Sequence, residues 1–218
     1  MSQQDIKAVI FDIDGTLSQK NSWWELAEGF GATKEESIGI YEDNLSGKLT
    51  QPEAGARVLE MWTRKGPVSK EKFTKILSAI PLRDESLEVA GYLKSKGMLI
   101  CPITGSNEIY AELVAKKIGA DDFYANAKLF WDDKGNLKDF SYEINQSDIK
   151  LKQFHEFCQK FNLKPEECIP VGDSYNDYEL FRITGRGIAI RTQYEDKVLE
   201  ELAWKVVNNL SEIKEIIK

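Results

Sequence analysis

Histidine is nearly absent from this chain: His155 is the only one in 218 residues. Mechanisms that need several imidazoles, as metal ligands or as relays, are thereby excluded. Cysteine is also sparse. Cys101, Cys158 and Cys168 are scattered and odd in number, with no CxxC pair, so neither a disulfide framework nor a zinc knuckle is expected. Cys101 and Cys168 fall in apolar strand-like runs and Cys158 on a helical apolar face, which predicts three buried, reduced thiols. His155, beside Phe154 and Cys158, reads as a partly buried packing residue. No apolar run reaches the roughly eighteen residues of a membrane-crossing helix. The first residues, Met1–Asp5, lack the basic and apolar segments of a secretory leader, so a cytoplasmic protein is expected. Positive charge is not concentrated anywhere. The net charge is −7 and the pI is near 5.0, which argues against a nucleic-acid partner.

What is present suits one large domain or a core with a modest insertion. Residues 6–11 are apolar without alternation, the mark of a strand buried on both faces. Further strong strands are expected at 98–103, 168–171 and 187–190, with weaker ones at 123–125 and 204–207. Helices are expected between them at 84–96, 107–118 and 148–161, opened by acids or Asn and closed by Gly97 and Gly119 where the pattern stops. This alternation predicts an α/β fold: a Rossmann-like three-layer α/β/α core around a mostly parallel sheet. Residues 20–82 break the rhythm. Four short helices near 22–30, 34–45, 51–65 and 69–80 are expected there, three of them with capping boxes: Ser22 with Glu25, Thr33 with Glu36 and Thr50 with Glu53. The predicted organisation is a core of residues 1–19 and 83–218 with an all-helical cap, 20–82, inserted after the first strand. Asp132-Asp133-Lys134-Gly135-Asn136 predicts a β-hairpin turn within 128–144.

The chemistry gathers at strand ends. The first strand closes on Asp12 and Asp14, one residue apart, followed by Gly15. Two carboxylates at the end of a buried strand are costly to desolvate without a metal or another cation. Taken alone, the fragment also fits an ordinary Asp-Gly turn. The second strand closes on Thr104-Gly105-Ser106-Asn107, and the third on Gly172-Asp173-Ser174-Tyr175-Asn176-Asp177. Lys150 begins the helix that leads into the third. In an open parallel sheet all of these converge on the carboxyl edge, where ligands bind.

Asp12-Ile13-Asp14-Gly15-Thr16-Leu17, Ile103-Thr104-Gly105, Lys150 and Gly172-Asp173-Ser174-Tyr175-Asn176-Asp177 resemble the four ordered motifs of the haloacid dehalogenase superfamily. The helical insertion, the hairpin and the Lys150–Asp173 separation are similar to its phosphoserine-phosphatase-like branch. The resemblance implies a Mg2+-dependent phosphatase acting on a small phosphorylated metabolite. Asp12 would attack phosphorus and form an aspartyl-phosphate. Asp14 would protonate the leaving oxygen and later deprotonate water. Magnesium would be held by Asp12, the main-chain carbonyl of Asp14 and Asp173, with Asp177 orienting that set from behind. Thr104 and the Gly105 amide would donate to the transferring phosphoryl group, Lys150 would neutralise charge, and Asn176 could contact the phosphate. An acid at Asp14 argues against carbon–halogen cleavage.

The same intermediate would serve a phosphotransferase or mutase, which is the alternative reading; a non-enzymatic binding module on the same fold is the remoter one. The absence of membrane spans argues against a transport ATPase. Trp23, Trp24 and Trp62 are expected to fill the small core of the cap, and Arg64 to be solvated. Arg57 lies near the place where phosphoserine-type caps offer an arginine to the substrate carboxylate. Those enzymes also carry a glutamate that pairs with the substrate ammonium group. Its position here is Asn21, with Glu25 one helical turn onward as a potential substitute, so phosphoserine is one substrate among several rather than the expected one. A monomer or homodimer is expected.

Overall fold

The computed structural model describes residues 6–218; the Met1–Asp5 segment considered above lies outside them. The described strands are β1 (Ala8–Phe11), β2 (Leu99–Asn107), β3 (Tyr124–Trp131), β4 (Leu137–Ser141), β5 (Cys168–Gly172), β6 (Ile188–Ile190) and β7 (Lys205–Val207). The described helices are α1 (Ser22–Gly29), α2 (Lys34–Leu45), α3 (Gln51–Thr63), α4 (Lys70–Ser78), α5 (Ser86–Ser95), α6 (Glu108–Ile118), α7 (Gln146–Phe161), α8 (Tyr178–Thr184), α9 (Lys197–Leu202) and α10 (Ile213–Ile216). The strands form one sheet in the order β4-β3-β2-β1-β5-β6-β7, parallel throughout except for the β3–β4 pair.

β1 sits at the centre because its sequence is apolar on both sides. Val9 and Phe11 pack into a core cluster with Val89, Leu93, Val114 and Ile169. Ala8 and Ile10 face the other way, onto Phe154 and Phe157 of α7. Burial on both faces is what continuous apolar strands require. The chain runs from β1 through β2 to β3 on one side, then crosses back to β5 on the other. The strand order therefore reverses at β1, and the crevice beyond its carboxyl end is where such folds bind ligands. Phe11 pairs with Pro102 of β2 and Val171 of β5, so all three strands deliver their polar ends to the same level.

Helices α1–α4 fill the stretch between β1 and α5, close to the expected bounds. Their aromatic core is Trp62, fully buried, with Phe73 edge-on at 5.6 Å and Trp23 stacked at 5.7 Å. This core does not stop at the insertion. Trp62 and Trp23 also meet Phe140 of β4, at 5.3 and 6.0 Å between ring centroids. Trp24 is only half-buried, beneath the Lys34 ammonium at 3.8 Å from its ring centroid.

Several expectations are corrected. β2 does not end at residue 103 but continues to Asn107, because β3 pairs with it as far as Asn107↔Ala127 across a bulge. β3 is correspondingly long, and the expected hairpin is the outer edge of the main sheet, with β4 turning back at Asp132–Asn136. Of the three capping boxes only Thr50 with Glu53 is closed in both directions. Thr33 caps α2, but the Glu36 carboxylate turns to Arg64 instead. Ser22 does not cap α1: the Asn21 side chain accepts from the Trp23 and Trp24 amides in its place. His155 is exposed rather than half-buried, since it lies on the solvent side of α7 opposite the buried Phe154 and Phe157. The three cysteines are buried and free, as expected. Among the described residues no helix is long and apolar enough to cross a membrane.

Candidate active site

β1 ends where its last backbone bond ends. The Asp12 amide donates to Val171 of β5 at 2.9 Å, which holds Asp12 at the sheet edge with its side chain buried. One carboxylate oxygen accepts from the Ile13 amide at 2.7 Å. The other meets the Lys150 ammonium at 3.0 Å. Lys150 is completely buried and also reaches Asp177 Oδ1 and Asn176 Oδ1, each at 2.7 Å. Burial pulls the ammonium down, but the charges of Asp12 and Asp177 more than offset it, so Lys150 is held protonated above the ordinary lysine range. A fully buried lysine is tolerated only because its donors are all engaged by oxygens.

Carboxylate oxygens of Asp12, Asp173 and Asp177 lie within 4.8 Å of one another. Asp173 accepts from Thr16 Oγ1 at 2.8 Å. Burial, then the charges of Asp12 and Asp177, push its carboxyl well above the usual range. Burial likewise raises Asp177 to about 6, although Lys150 partly opposes it. One ammonium thus faces three carboxylates, and the cluster is short of positive charge. The backbone is also cut to fit it. Gly15 has φ +85°, and a Cβ there would stand 2.2 Å from the Asp173 carboxylate; a Cβ on Gly172 would stand 2.1 Å from Asp177. A hard divalent cation fits this donor set of oxygens.

Asp14 stands apart from that trio. Its Oδ2 accepts from the Ser22 hydroxyl at 2.6 Å, while Oδ1 is buried without a hydrogen-bond partner among the described residues. Burial raises its pKa to about 7; the Ser22 hydrogen bond opposes the rise and the Asp12 charge adds to it. A carboxyl group near neutrality can give and take a proton at physiological pH.

The remaining expected residues are distributed unevenly. Thr104 is fully buried, and its hydroxyl oxygen accepts from the Ser106 amide at 3.2 Å. The Gly105 carbonyl accepts from the Trp23 indole at 3.4 Å, which ties α1 to the end of β2. Asn176 is oriented from both sides, by Lys150 and by Gln146 Oε1, the latter 3.3 Å from its amide nitrogen. Arg57 is exposed and lines a groove of about 510 Å3 between α2 and α3, with Glu36, Asp43, Glu60 and Arg64 among its neighbours. None of the groove's lining residues comes from the strand-end motifs. Glu25 faces Lys20 at 3.1 Å.

Sequence reasoning missed Ser22, Ser106, Gln146 and Arg83. Ser22 and Ser106 hydroxyls are 2.5 Å apart, and both are fully buried. Arg83 donates to the Thr16 and Gly15 carbonyls at 2.8 and 2.7 Å, bracing the turn behind Asp14. Ser106 lies inside the Thr104-Gly105-Ser106-Asn107 strand end and could have been singled out. Arg83 and Gln146 carried no local signal, because their partners are remote in sequence.

The model of the haloacid dehalogenase-like hydrolase family matches residues 6–183. The chain is 24% identical over 212 residues to a phosphoserine phosphatase of Methanocaldococcus jannaschii, covering 97% of this chain and 96% of that one. It is 28% identical over 213 residues to a phosphoserine phosphatase of Streptococcus thermophilus, covering 94% and 96%. Among solved structures, a phospho-aspartyl intermediate analogue of phosphoserine phosphatase superposes with a TM-score of 0.77 at 25% identity, covering 99% of this chain and all of that one. With the acids, the buried lysine and the hydroxyl of its four motifs gathered at one sheet edge, the chain belongs to the haloacid dehalogenase-like hydrolases, on their phosphoserine-phosphatase-like branch.

Proposed function

We propose that this phosphatase hydrolyses a small phosphomonoester with Asp12 as nucleophile and Asp14 as the proton donor and acceptor. The observation that carries the reading is the division between the two carboxylates. Asp12 is paired with the Lys150 ammonium, whereas burial of its carboxyl raises Asp14 to about 7 and its Oδ1 has no hydrogen-bond partner among the described residues. Asp12 would displace the alcohol from phosphorus and take the phosphoryl group as an acyl phosphate. Asp14 would give its proton to the departing alkoxide oxygen. It would then remove a proton from the water that attacks the aspartyl-phosphate, returning both acids to their first state. Thr104 and the Gly105 amide would donate to the phosphoryl oxygens, and Lys150 and Asn176 would hold the charge that develops.

Magnesium, held by Asp12, the main-chain carbonyl of Asp14 and Asp173 and oriented by Asp177, would screen the phosphate charge when bound. The shortage of cations among these three carboxylates, two buried and one half-buried, supports a divalent ion there. The helical insertion would act as the cap that admits substrate. Asn21 is occupied as the cap of α1 and Glu25 is paired with Lys20, so neither is free to bind a substrate ammonium group in this conformation. This favours a phosphomonoester other than phosphoserine.

The test is Asp12→Asn assayed on a panel of phosphomonoesters, with acid-quench trapping of a phosphorylated enzyme. Turnover is expected to fall by about 10^4-fold or more, with no trapped phosphoenzyme. Retained turnover would overturn the aspartyl-phosphate route. A chelator should stop the wild-type reaction and magnesium restore it.

A further inference from the structure

Asp14 has two oxygens, and a proton donor must carry its proton on the one that faces the leaving group. Three residues outside the reaction itself decide which one that is. Asn107 caps α6, and its Oδ1 accepts from the Tyr110 amide at 3.1 Å. That bond fixes the orientation of the amide, so Nδ2 is the group that faces Ser106 Oγ, at 3.4 Å. An amide NH2 only donates. Ser106 Oγ therefore accepts there and has its own proton to place elsewhere. Its near neighbour is Ser22 Oγ, at 2.5 Å. Ser22 accepts that proton and in turn donates its own to Asp14 Oδ2, at 2.6 Å. All three side chains are buried, so water does not compete for these bonds.

We infer that Ser22 is a positioning residue for Asp14: the directed chain Asn107–Ser106–Ser22 makes Oδ2 an acceptor and confines the transferable proton to Oδ1. Oδ1 is the buried oxygen without a hydrogen-bond partner among the described residues. The chain also crosses between two parts of the fold. Ser22 is the first residue of α1 in the insertion, whereas Ser106 and Asn107 close β2 of the core. Seating α1 against the sheet edge and orienting the acid are thus one event. Asn21 takes over as the cap of α1 and leaves the Ser22 hydroxyl free for this task.

The inference rests on the reading of Asp14 as proton donor, and the experiment separates the two. The kcat/KM for p-nitrophenyl phosphate and for glycerol 2-phosphate, with magnesium, is compared among wild type, Asp14→Asn, Ser22→Ala, Ser22→Thr and Ser106→Ala. Nitrophenolate leaves without a proton, whereas the glycerol alkoxide needs one. Ser22→Ala is expected to lose about tenfold to a hundredfold on glycerol 2-phosphate and no more than about threefold on p-nitrophenyl phosphate. Ser106→Ala should show the same selectivity at smaller size, and Ser22→Thr, which keeps the hydroxyl, should restore the alkyl substrate. Equal losses on both substrates in Ser22→Ala, or no loss on either, would overturn the inference. A misfolded Ser22→Ala leaves Ser106→Ala to decide by the same criterion. If Asp14→Asn itself shows no preference between leaving groups, the proton-donor reading fails first. Where wild type turns over neither, the same comparison is made on an aryl and an alkyl phosphomonoester from the substrate panel, and a wild type inactive on the whole panel would overturn the phosphomonoesterase reading.

Discussion

The carboxyl edge of the sheet and the helical insertion use charge in opposite ways. At the sheet edge Lys150 is fully buried, and Asp12 and Asp177 are nearly so; each charge is held by more than one partner. In the insertion the ion pairs are solvent-facing: Glu36 with Arg64, and Asp43 with Lys48. Buried ions are retained against a desolvation penalty, so the fold must compensate them together or not at all. Exposed pairs are screened by water and mostly decorate the surface. The difference separates charge that is buried and mutually compensated at the sheet edge from charge that stays in water on the insertion. Burial of the insertion is instead aromatic, with Trp62, Phe73 and Trp23 continuing into Phe140.

The comparison is broken most severely at Lys150. Lys150→Met leaves Asp12 and Asp177 buried without their cation, and about 3 kcal/mol or more of folding stability should be lost in metal-free protein. Urea unfolding measures it, and added magnesium should recover part of the loss. An unchanged midpoint would mean that the cluster is not a coupled unit.

The pH dependence of stability sharpens the same contrast. The fold raises Asp14 to about 7 and Asp177 to about 6 from the 3.8 of an ordinary aspartate, chiefly through burial. Between those values the folded state binds more protons than the unfolded chain, so stability declines as pH rises through the window. Metal-free protein should therefore melt at a higher temperature at about pH 5 than at about pH 8, with magnesium flattening the difference. Melting curves with chelator and with magnesium test this. A metal-free protein that gains stability from pH 5 to 8 would contradict it.

Effects in the insertion should be smaller. Asn21→Ala removes the cap of α1 and should destabilise by about 1 kcal/mol, read as a lower thermal midpoint. Restoration by Asn21→Asp would show that capping is the cause. Arg64→Ala removes an exposed pair and should leave the melting temperature unchanged within error. A clear drop would show that the Glu36–Arg64 contact ties α2 to the end of α3 more firmly than its exposure implies.

Legibility in the sequence followed the range of the signal. The apolar run of β1 and the carboxylates at its end were readable because burial on both faces leaves an unbroken pattern. The cap of α6 at Asn107 and the box at Thr50 and Glu53 were readable because capping spans only three residues. Ser22 shows the limit. Asn21 and Ser22 are adjacent and both are good caps, so local chemistry does not choose between them. The choice falls to Asp14, eight residues back, which engages the Ser22 hydroxyl and leaves the cap to Asn21. The extension of β2 through Thr104–Asn107 was hidden for a related reason: a Thr-Gly-Ser-Asn stretch reads as a turn until β3 pairs with it. His155 was misplaced because neighbours in sequence point to different sides of a helix.

The sequence by itself determined the order of the chemistry along the chain: which strands end in acids, which in a hydroxyl, and which helix carries the lysine. Those features follow from short apolar and polar patterns that any folding of the chain into a parallel sheet must bring to one edge. Only the tertiary structure decided how the two acids differ. Asp12 meets Lys150 from α7, and Asp14 meets Ser22 from α1, so identical side chains two residues apart acquire different partners, and burial raises the proton affinity of Asp14. Burial and partners, both supplied by remote segments, set the proton affinity of a carboxylate, so the motif's resemblance could suggest separate roles but not the environments that distinguish the two acids.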